Sequence, residues 1–484
     1  MAVAAPRRVG RTVGIAAAVL VGAGALGTGA YAVYSNTLGG GGPQPESAVP
    51  ATSMAFTKID LDPGAGQKID ALRFIGKFPA VPEEARSEGG DIKRALFESI
   101  QKDGTFKDLN YETDVKPWLG DRAGMAVFPM ADGEDPGVVL ALAVTDQDKA
   151  KAGLDKAVKG EDWGTACTVQ TDFAVCGESQ EVVDAAVAAT NKQALADSGN
   201  YTSDVKALGK DGVAQFWMDA AGVQELVKSS TASDALDSVD MPTGEGRVIG
   251  VVRFDSANLE VAMKGLEVPS IKANSATGTG VTELPEGTLA AIGVAGAGQM
   301  LTDQWATLTD NLGTDLTDSV NELRTSYDID LPADLATLLG DQTVVAFGGG
   351  DVQGEKMPKI AMVTDTAPDD TKALQAKVED ALGQALGIDV VDKDGHSVFA
   401  SEAAYADELV AESGLGDADS FTAAVPGASD ASIVGYANIR GLIAAYGTDL
   451  SSDERENLDP LSAFGISVQI NDNGFDATMR LTTK

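Results

Sequence analysis

Cys167 and Cys176 are the chain's two cysteines, and they flank the segment Thr168–Val175. If Thr171-Asp172 turns a two-residue hairpin, the thiols face each other across neighbouring antiparallel strands. Opposed Cβ atoms then lie about 4.5–5.5 Å apart, within reach of a disulfide after slight adjustment. Buried free thiols are the alternative, and redox or metal chemistry a third. Two thiols are too few for a Cys-rich zinc site. One His in the whole chain, His396, excludes H-E-x-x-H and any other site that needs two imidazoles. It follows a turn, has no identifiable nucleophile or carboxylate partner, and reads as an ordinary side chain.

Other patterns resemble sites and lack the rest of the chemistry. Ser99-x-x-Lys102 and Ser203-x-x-Lys206 match the serine–lysine hydrolase tetrad, but neither an S-D-N element nor a K-T-G accompanies them. Asp392-Lys393-Asp394-Gly395 and Asn471-Asp472-Asn473-Gly474 begin like calcium loops. The later ligands and the bidentate Glu are missing, and Asp-Gly and Asn-Gly are hairpin-turn signals. Gly22-x-Gly24-x-x-Gly27 lies within an apolar run, where backbone N–H groups are bonded inside a helix and cannot meet a pyrophosphate. The sequence therefore names no catalytic, cofactor-binding or metal-ligating residue, and Cys167 and Cys176 remain its only site candidates, as a disulfide.

With 36 Lys and Arg against 73 Asp and Glu, the net charge is −37 and the pI near 4.2. That balance excludes a nucleic-acid surface, which needs cationic side chains to displace counterions. An apolar content of 44% suits a globular fold rather than a disordered one.

At the N-terminus, Arg7, Arg8 and Arg11 precede a charge-free stretch, and Val13 to Val33 is rich in Ala, Gly, Val and Leu. This length spans a bilayer core of about 30 Å, and charge on one flank puts residues 1–11 in the cytoplasm. The expected order is a cytoplasmic N-terminus (1–11), a transmembrane helix (12–34) and a Gly/Pro linker (35–47), with the bulk of the chain outside the cell membrane. Ala30-Tyr31-Ala32 resembles a cleavage site, so a removed secretory signal is the alternative.

Beyond the linker the chain repeats itself. "WLGDRAGMAVF" from Trp118 matches "LLGDQTVVAFG" from Leu338, and "DFAVCGESQEVVDAAVAA" from Asp172 parallels "HSVFASEAAYADELVAE" from His396. "RVIGVVRF" from Arg247 closes the first copy and "AFGISVQI" from Ala463 the second. These blocks give two similar lobes, 48–268 and 283–484, joined by residues 269–282. Apolar runs at Ala123–Phe128, Val138–Val144, Val213–Met218 and Val248–Phe254 read as strands. Gln147–Val158 and Gln180–Ala189 carry helical spacing, with Asp146 as an N-cap and Asp365 as its counterpart in the second lobe. Strands and helices do not alternate strictly, so the expected class is α+β: a transmembrane helix followed by two duplicated lobes with mainly antiparallel sheets.

The Arg-flanked span, the Gly/Pro linker, the opening "VPATSMAFTKIDLDPGAGQKIDALRF" and the repeated "LGD" blocks resemble domain-of-unknown-function family 3352, bacterial single-span envelope proteins. The resemblance implies localisation and architecture and carries no chemistry. The expected role is non-enzymatic binding or scaffolding in the cell envelope, with no cofactor, no nucleic acid, and an envelope protein or small ligand as partner besides the membrane itself. A carboxylate-dependent hydrolase of envelope polymers and a low-affinity cation-dependent module are the alternatives.

Overall fold

The computed structural model describes residues 42–484 apart from 62, 82–92, 95–96, 99–100, 102–107, 131–134, 161–165, 223–245, 256–257, 269–276, 313, 351–357 and 387. The chain divides into two compact units, Met1–Ser270 and Ile271–Lys484.

Unit 1 runs β1 (Ala55–Asp60), α1 (Ala65–Ile75), β2 (Leu119–Phe128), β3 (Gly137–Val144), α2 (Gln147–Gly160), β4 (Ala166–Val169), β5 (Phe173–Gly177), α3 (Gln180–Lys192), α4 (Gly199–Leu208), β6 (Ala214–Asp219), β7 (Arg247–Asp255) and β8 (Asn258–Leu266). Its sheet has the order β4-β5-β3-β2-β1-β6-β7-β8, and every neighbouring pair is antiparallel. Alternation along β2, where Gly120, Arg122, Gly124 and Ala126 are buried between partly exposed neighbours, shows the period of a strand with two distinct faces. On one face Phe56, Phe128, Val139, Leu195, Tyr201, Trp217 and Ile249 form a core closed by Val182, Val183 and Ala186 of α3. Ser179 caps α3 by accepting from the Val182 amide at 3.3 Å.

Unit 2 runs β9 (Ala290–Ala295), α5 (Ala297–Leu312), α6 (Thr314–Tyr327), α7 (Ala333–Leu339), β10 (Gln342–Gly349), β11 (Lys359–Thr364), α8 (Pro368–Leu382), β12 (Val390–Lys393), β13 (His396–Ala400), α9 (Ala403–Ala411), α10 (Asp419–Ala424), β14 (Ile433–Ala437), α11 (Ile439–Tyr446), α12 (Ser452–Leu458), β15 (Leu461–Asn471) and β16 (Gly474–Thr483). Its sheet order, β12-β13-β11-β10-β9-β14-β15-β16, is that of unit 1 strand for strand, again antiparallel throughout. The registers agree as well. Phe56 faces Trp217 across β1 and β6, as Ala291 faces Tyr436 across β9 and β14. The Leu195 amide donates to Val49 O at 2.9 Å, and the Leu415 amide to Leu284 O at 2.9 Å.

The α+β class with antiparallel sheets holds. The transmembrane helix does not: among the described residues no helix is long and apolar enough to cross a membrane, and residues 12–34 lie outside them. Part of the expected linker is also built structure. Pro45–Ser47 forms a 3-10 turn with Pro45 and Glu46 buried in unit 1, because proline at the first position presets φ for a helical turn.

Candidate functional site

Strand β1 and its partner β6 carry the site. Lys58 and Gln215 are directly opposed in their register, which puts both side chains on one face, beneath the Pro45–Ser47 turn. Together with Gln44, Glu46, Asp60, the Pro63–Gly64 entry to α1, Gln67 and Asp211, they line a cleft of about 270 Å³. That lies just under the roughly 300–1,000 Å³ usual for ligand pockets, so an occupant is small.

The lining mixes apolar side chains such as Val205 and Val213 with a polar set of which Glu46 and Gln215 are buried. Lys58 Nζ donates to Glu46 Oε1 at 2.7 Å and to Gln44 Oε1 at 3.4 Å. Arg122 Nε donates to Asp60 Oδ2 at 2.9 Å from the adjoining strand β2. Gln215, 5% exposed, donates through Nε2 to the Tyr201 hydroxyl at 2.9 Å. Gln67 bonds the backbone of Phe254 at both ends of its amide, at 2.7 and 2.9 Å, and so fixes α1 against β7. Burial pushes the Tyr201 phenol well above its usual range, and the charge of the neighbouring Glu46 acts in the same direction. Glu46 is 9% exposed, and besides its ion pair with Lys58 it takes a hydrogen bond from the Tyr201 hydroxyl.

Unit 2 shows what the same backbone does without such a cleft. By the shared register, Lys58 corresponds to Gly293, Gln215 to Val434 and Asp60 to Ala295. At the same offset as the Leu195 and Leu415 pair, Tyr201 corresponds to Phe421. Val434, Ala295 and Phe421 are at most 1% exposed. A Cβ on Gly293 would meet Val281 Cγ2 at 2.4 Å and Thr279 Cβ at 2.9 Å; apolar packing fills the space through which Lys58 reaches Glu46.

A family model described as "Protein of unknown function (DUF3352)" matches residues 14–162 and 156–433. The chain belongs to this family. No curated protein and no solved structure matches it. Membership of DUF3352 carries no activity to the cleft, whose chemistry rests on the residues themselves.

The residues singled out in the sequence are dispersed. Cys167 and Cys176 face each other in the β4–β5 register and are joined as a disulfide, with Cα atoms 4.1 Å apart. Trp118, Ala150 and Leu154 pack over Cys176. His396 lines a separate hollow of about 90 Å³ with Asp365, Lys393 and Gln342. Ser203 Oγ donates to Asn200 O at 2.8 Å on α4, while Ser99 and Lys102 lie outside the described residues. Asp392–Gly395 is a hairpin turn: Asp394 and Gly395 have φ of 52° and 89°, and Asp392 Oδ1 accepts from the Gly395 amide at 2.8 Å. Asn471 and Gly474 close the β15–β16 hairpin. Among the described residues no cluster of three or more His, Cys, Asp and Glu is placed to hold a metal ion.

Sequence reasoning missed the cleft. Glu46 fell in the expected linker, and Lys58, Asp60 and Gln215 belong to no motif. One signal was available: in aligned copies of an internal duplication, Lys58 and Gln215 stand against Gly293 and Val434.

Proposed function

We propose that this chain is a non-enzymatic binding protein of an oxidising compartment outside the cytoplasm, and that unit 1 takes a small polar ligand in the cleft under Glu46. The observation that carries this reading is the contrast between the units. One strand order and one register accommodate Lys58, Asp60, Gln215 and Tyr201 in unit 1 and Gly293, Ala295, Val434 and Phe421 in unit 2. Buried ion pairs are often no more stabilising than apolar packing of equal volume. The polar set is therefore not a requirement of the fold, and a binding role accounts for it. The Cys167–Cys176 pair supports the compartment, since disulfides persist where thiols are not kept reduced.

The hydrolase reading is less well supported, because both inner carboxylates, Glu46 and Asp60, are engaged in ion pairs. The test transplants the residues of unit 2 into unit 1: Tyr201→Phe with Gln215→Val, in the full chain. We expect a folded protein with stability within about 1–2 kcal/mol of the parent. It should lose the melting shift that a mixed library of sugars, amino acids, amines and carboxylates gives the parent by mass action. An unfolded double variant would make the network structural, and a parent that no compound stabilises would overturn the binding role.

A further inference from the structure

We infer that Asn473 is a site of spontaneous covalent modification, at which the side-chain amide is lost as ammonia and the residue becomes aspartate or isoaspartate. The site belongs to unit 2 and is independent of the unit 1 cleft. Asn473-Gly474 is the one Asn-Gly pair in the chain. It lies at the tip of the β15–β16 hairpin, where Asn471 and Gly474 form the last ladder pair. Asn471, Asp472 and Asn473 are all exposed. The Asn473 backbone amide donates to Asn471 Oδ1 at 3.0 Å, whereas its side-chain amide makes no hydrogen bond among the described residues.

Other asparagines are better protected. Asn110 and Asn438 engage their side-chain oxygens with the Thr113 and Gly441 amides, at 3.2 and 2.8 Å. Asn457 Nδ2 donates to Asp453 O at 2.8 Å. The residues that follow these three, Tyr111, Ile439 and Leu458, carry side chains that crowd the backbone nitrogen; Gly474 carries none. Asp394-Gly395, at the tip of β12–β13, offers a second contrast. Its side chain is a carboxylate, a poorer electrophile than an amide, and the Gly395 N–H is held by Asp392 Oδ1 at 2.8 Å.

The reaction needs only water. The Gly474 backbone nitrogen gives up its proton and attacks Asn473 Cγ. The new N–Cγ bond forms as Cγ–Nδ2 breaks, and ammonia leaves with the proton. Water then opens the succinimide ring at either carbonyl, which yields aspartate or isoaspartate with no oxidation or reduction. Gly474 must leave the ladder for the attack, and it belongs to the terminal pair, where opening costs least. Either product adds a negative charge to a chain already at −37. Isoaspartate also lengthens the backbone by one carbon, about 1.5 Å, and so disturbs the pairing of Asn471 with Gly474 from which the β15–β16 register runs.

The full-length protein, kept warm at mildly alkaline pH and mapped over time by peptide mass spectrometry, provides the test. The peptide carrying Asn473 should gain about one dalton before any other asparagine-containing peptide does, and faster as pH rises. It should then separate into aspartyl and isoaspartyl forms. Asn473→Gln should abolish the gain, because the longer side chain closes a less favourable ring, and should leave the melting temperature unchanged. A guanidinium-unfolded sample supplies the rate of an unrestrained chain. Conversion in the unfolded chain with none in the folded one means that the ladder holds the Gly474 nitrogen back, and overturns the proposal. Earlier conversion at another asparagine of the folded protein overturns it too, as does a mass gain at this peptide that persists in Asn473→Gln.

Discussion

Arg247 donates to both carboxylate oxygens of Asp204, from Nε at 2.7 Å and from Nη2 at 3.2 Å, and Trp217 Nε1 donates to the same carboxylate at 2.9 Å. Asp204 is 1% exposed, so α4 is tied to β6 and β7 through one desolvated charge. Removing Asp204 leaves the largely buried guanidinium with only the exposed Glu267 carboxylate, to which Nη1 donates at 2.6 Å. Asp204→Ala is expected to cost about 2–4 kcal/mol in chemical denaturation, below the full penalty of an uncompensated buried charge because Glu267 remains. Unit 2 carries Ala424 and Ala463 at the corresponding positions. The double variant Asp204→Ala with Arg247→Ala should therefore be more stable than Asp204→Ala alone. A double variant that is less stable would contradict the account in which the half-compensated guanidinium is the cost.

Three buried phenols set the alkaline limit. Tyr201, Tyr405 and Tyr436 are all held above the ordinary value of 10.0, each by burial first. A group that keeps its proton longer in the native state makes the folded protein bind more protons than the unfolded one above pH 10. Stability is thus fully present below that pH and falls as pH rises past it. In a spectroscopic titration these phenols should ionise only as the chain unfolds, and Tyr201→Phe should flatten the decline. Free ionisation in a protein still folded would contradict the burial.

The Cys167–Cys176 bridge closes a short loop, with a sequence separation of 9. Chain-entropy arguments give such a loop about 2–3 kcal/mol. The double Cys→Ser variant should be less stable in chemical denaturation by that amount, and the parent's intact mass should rise by two hydrogen atoms on reduction. Unit 2 builds its equivalent hairpin, β12–β13, without cysteines, so the variant is expected to fold.

Gly465 marks a close approach. A Cβ there would meet the Ala424 carbonyl oxygen at 2.3 Å, since α10 descends onto β15. The register pairs Gly465 with Tyr436 as it pairs Ile249 with Trp217. Unit 1 therefore holds a fully buried Ile where unit 2 tolerates no side chain. Gly465→Ala is expected to cost about 1–3 kcal/mol, measured by thermal melting, whereas Ile249→Ala should cost about 2–5 kcal/mol by leaving a cavity.

Much of this was legible in the chain because period and pattern survive packing. Strands expected at Val138–Val144 and Val248–Phe254 occur as β3 and β7, and Asp146 caps α2 by accepting from the Lys149 amide at 3.1 Å. Asp365 is different: α8 begins at Pro368, and Asp365 Oδ1 accepts instead from the Asp341 and Gln342 amides at 2.8 and 3.1 Å. An acidic residue before a helix serves a cap and a loop clamp equally well, and tertiary neighbours choose between them. The cleft was illegible for another reason. Glu46 meets Lys58 from a turn outside the strands, Tyr201 and Gln215 come from later in the chain, and no fixed spacing encodes a meeting of that kind.

The shortness of β4 and β12 bears on behaviour at high concentration. Each ends its sheet with only four residues, and β12 finishes on Lys393. An outer strand is a template on which another chain can extend the ladder, and brevity and a terminal lysine both blunt it. These borders offer little backbone for foreign strands to recruit, so the chain can crowd without seeding fibrils along them.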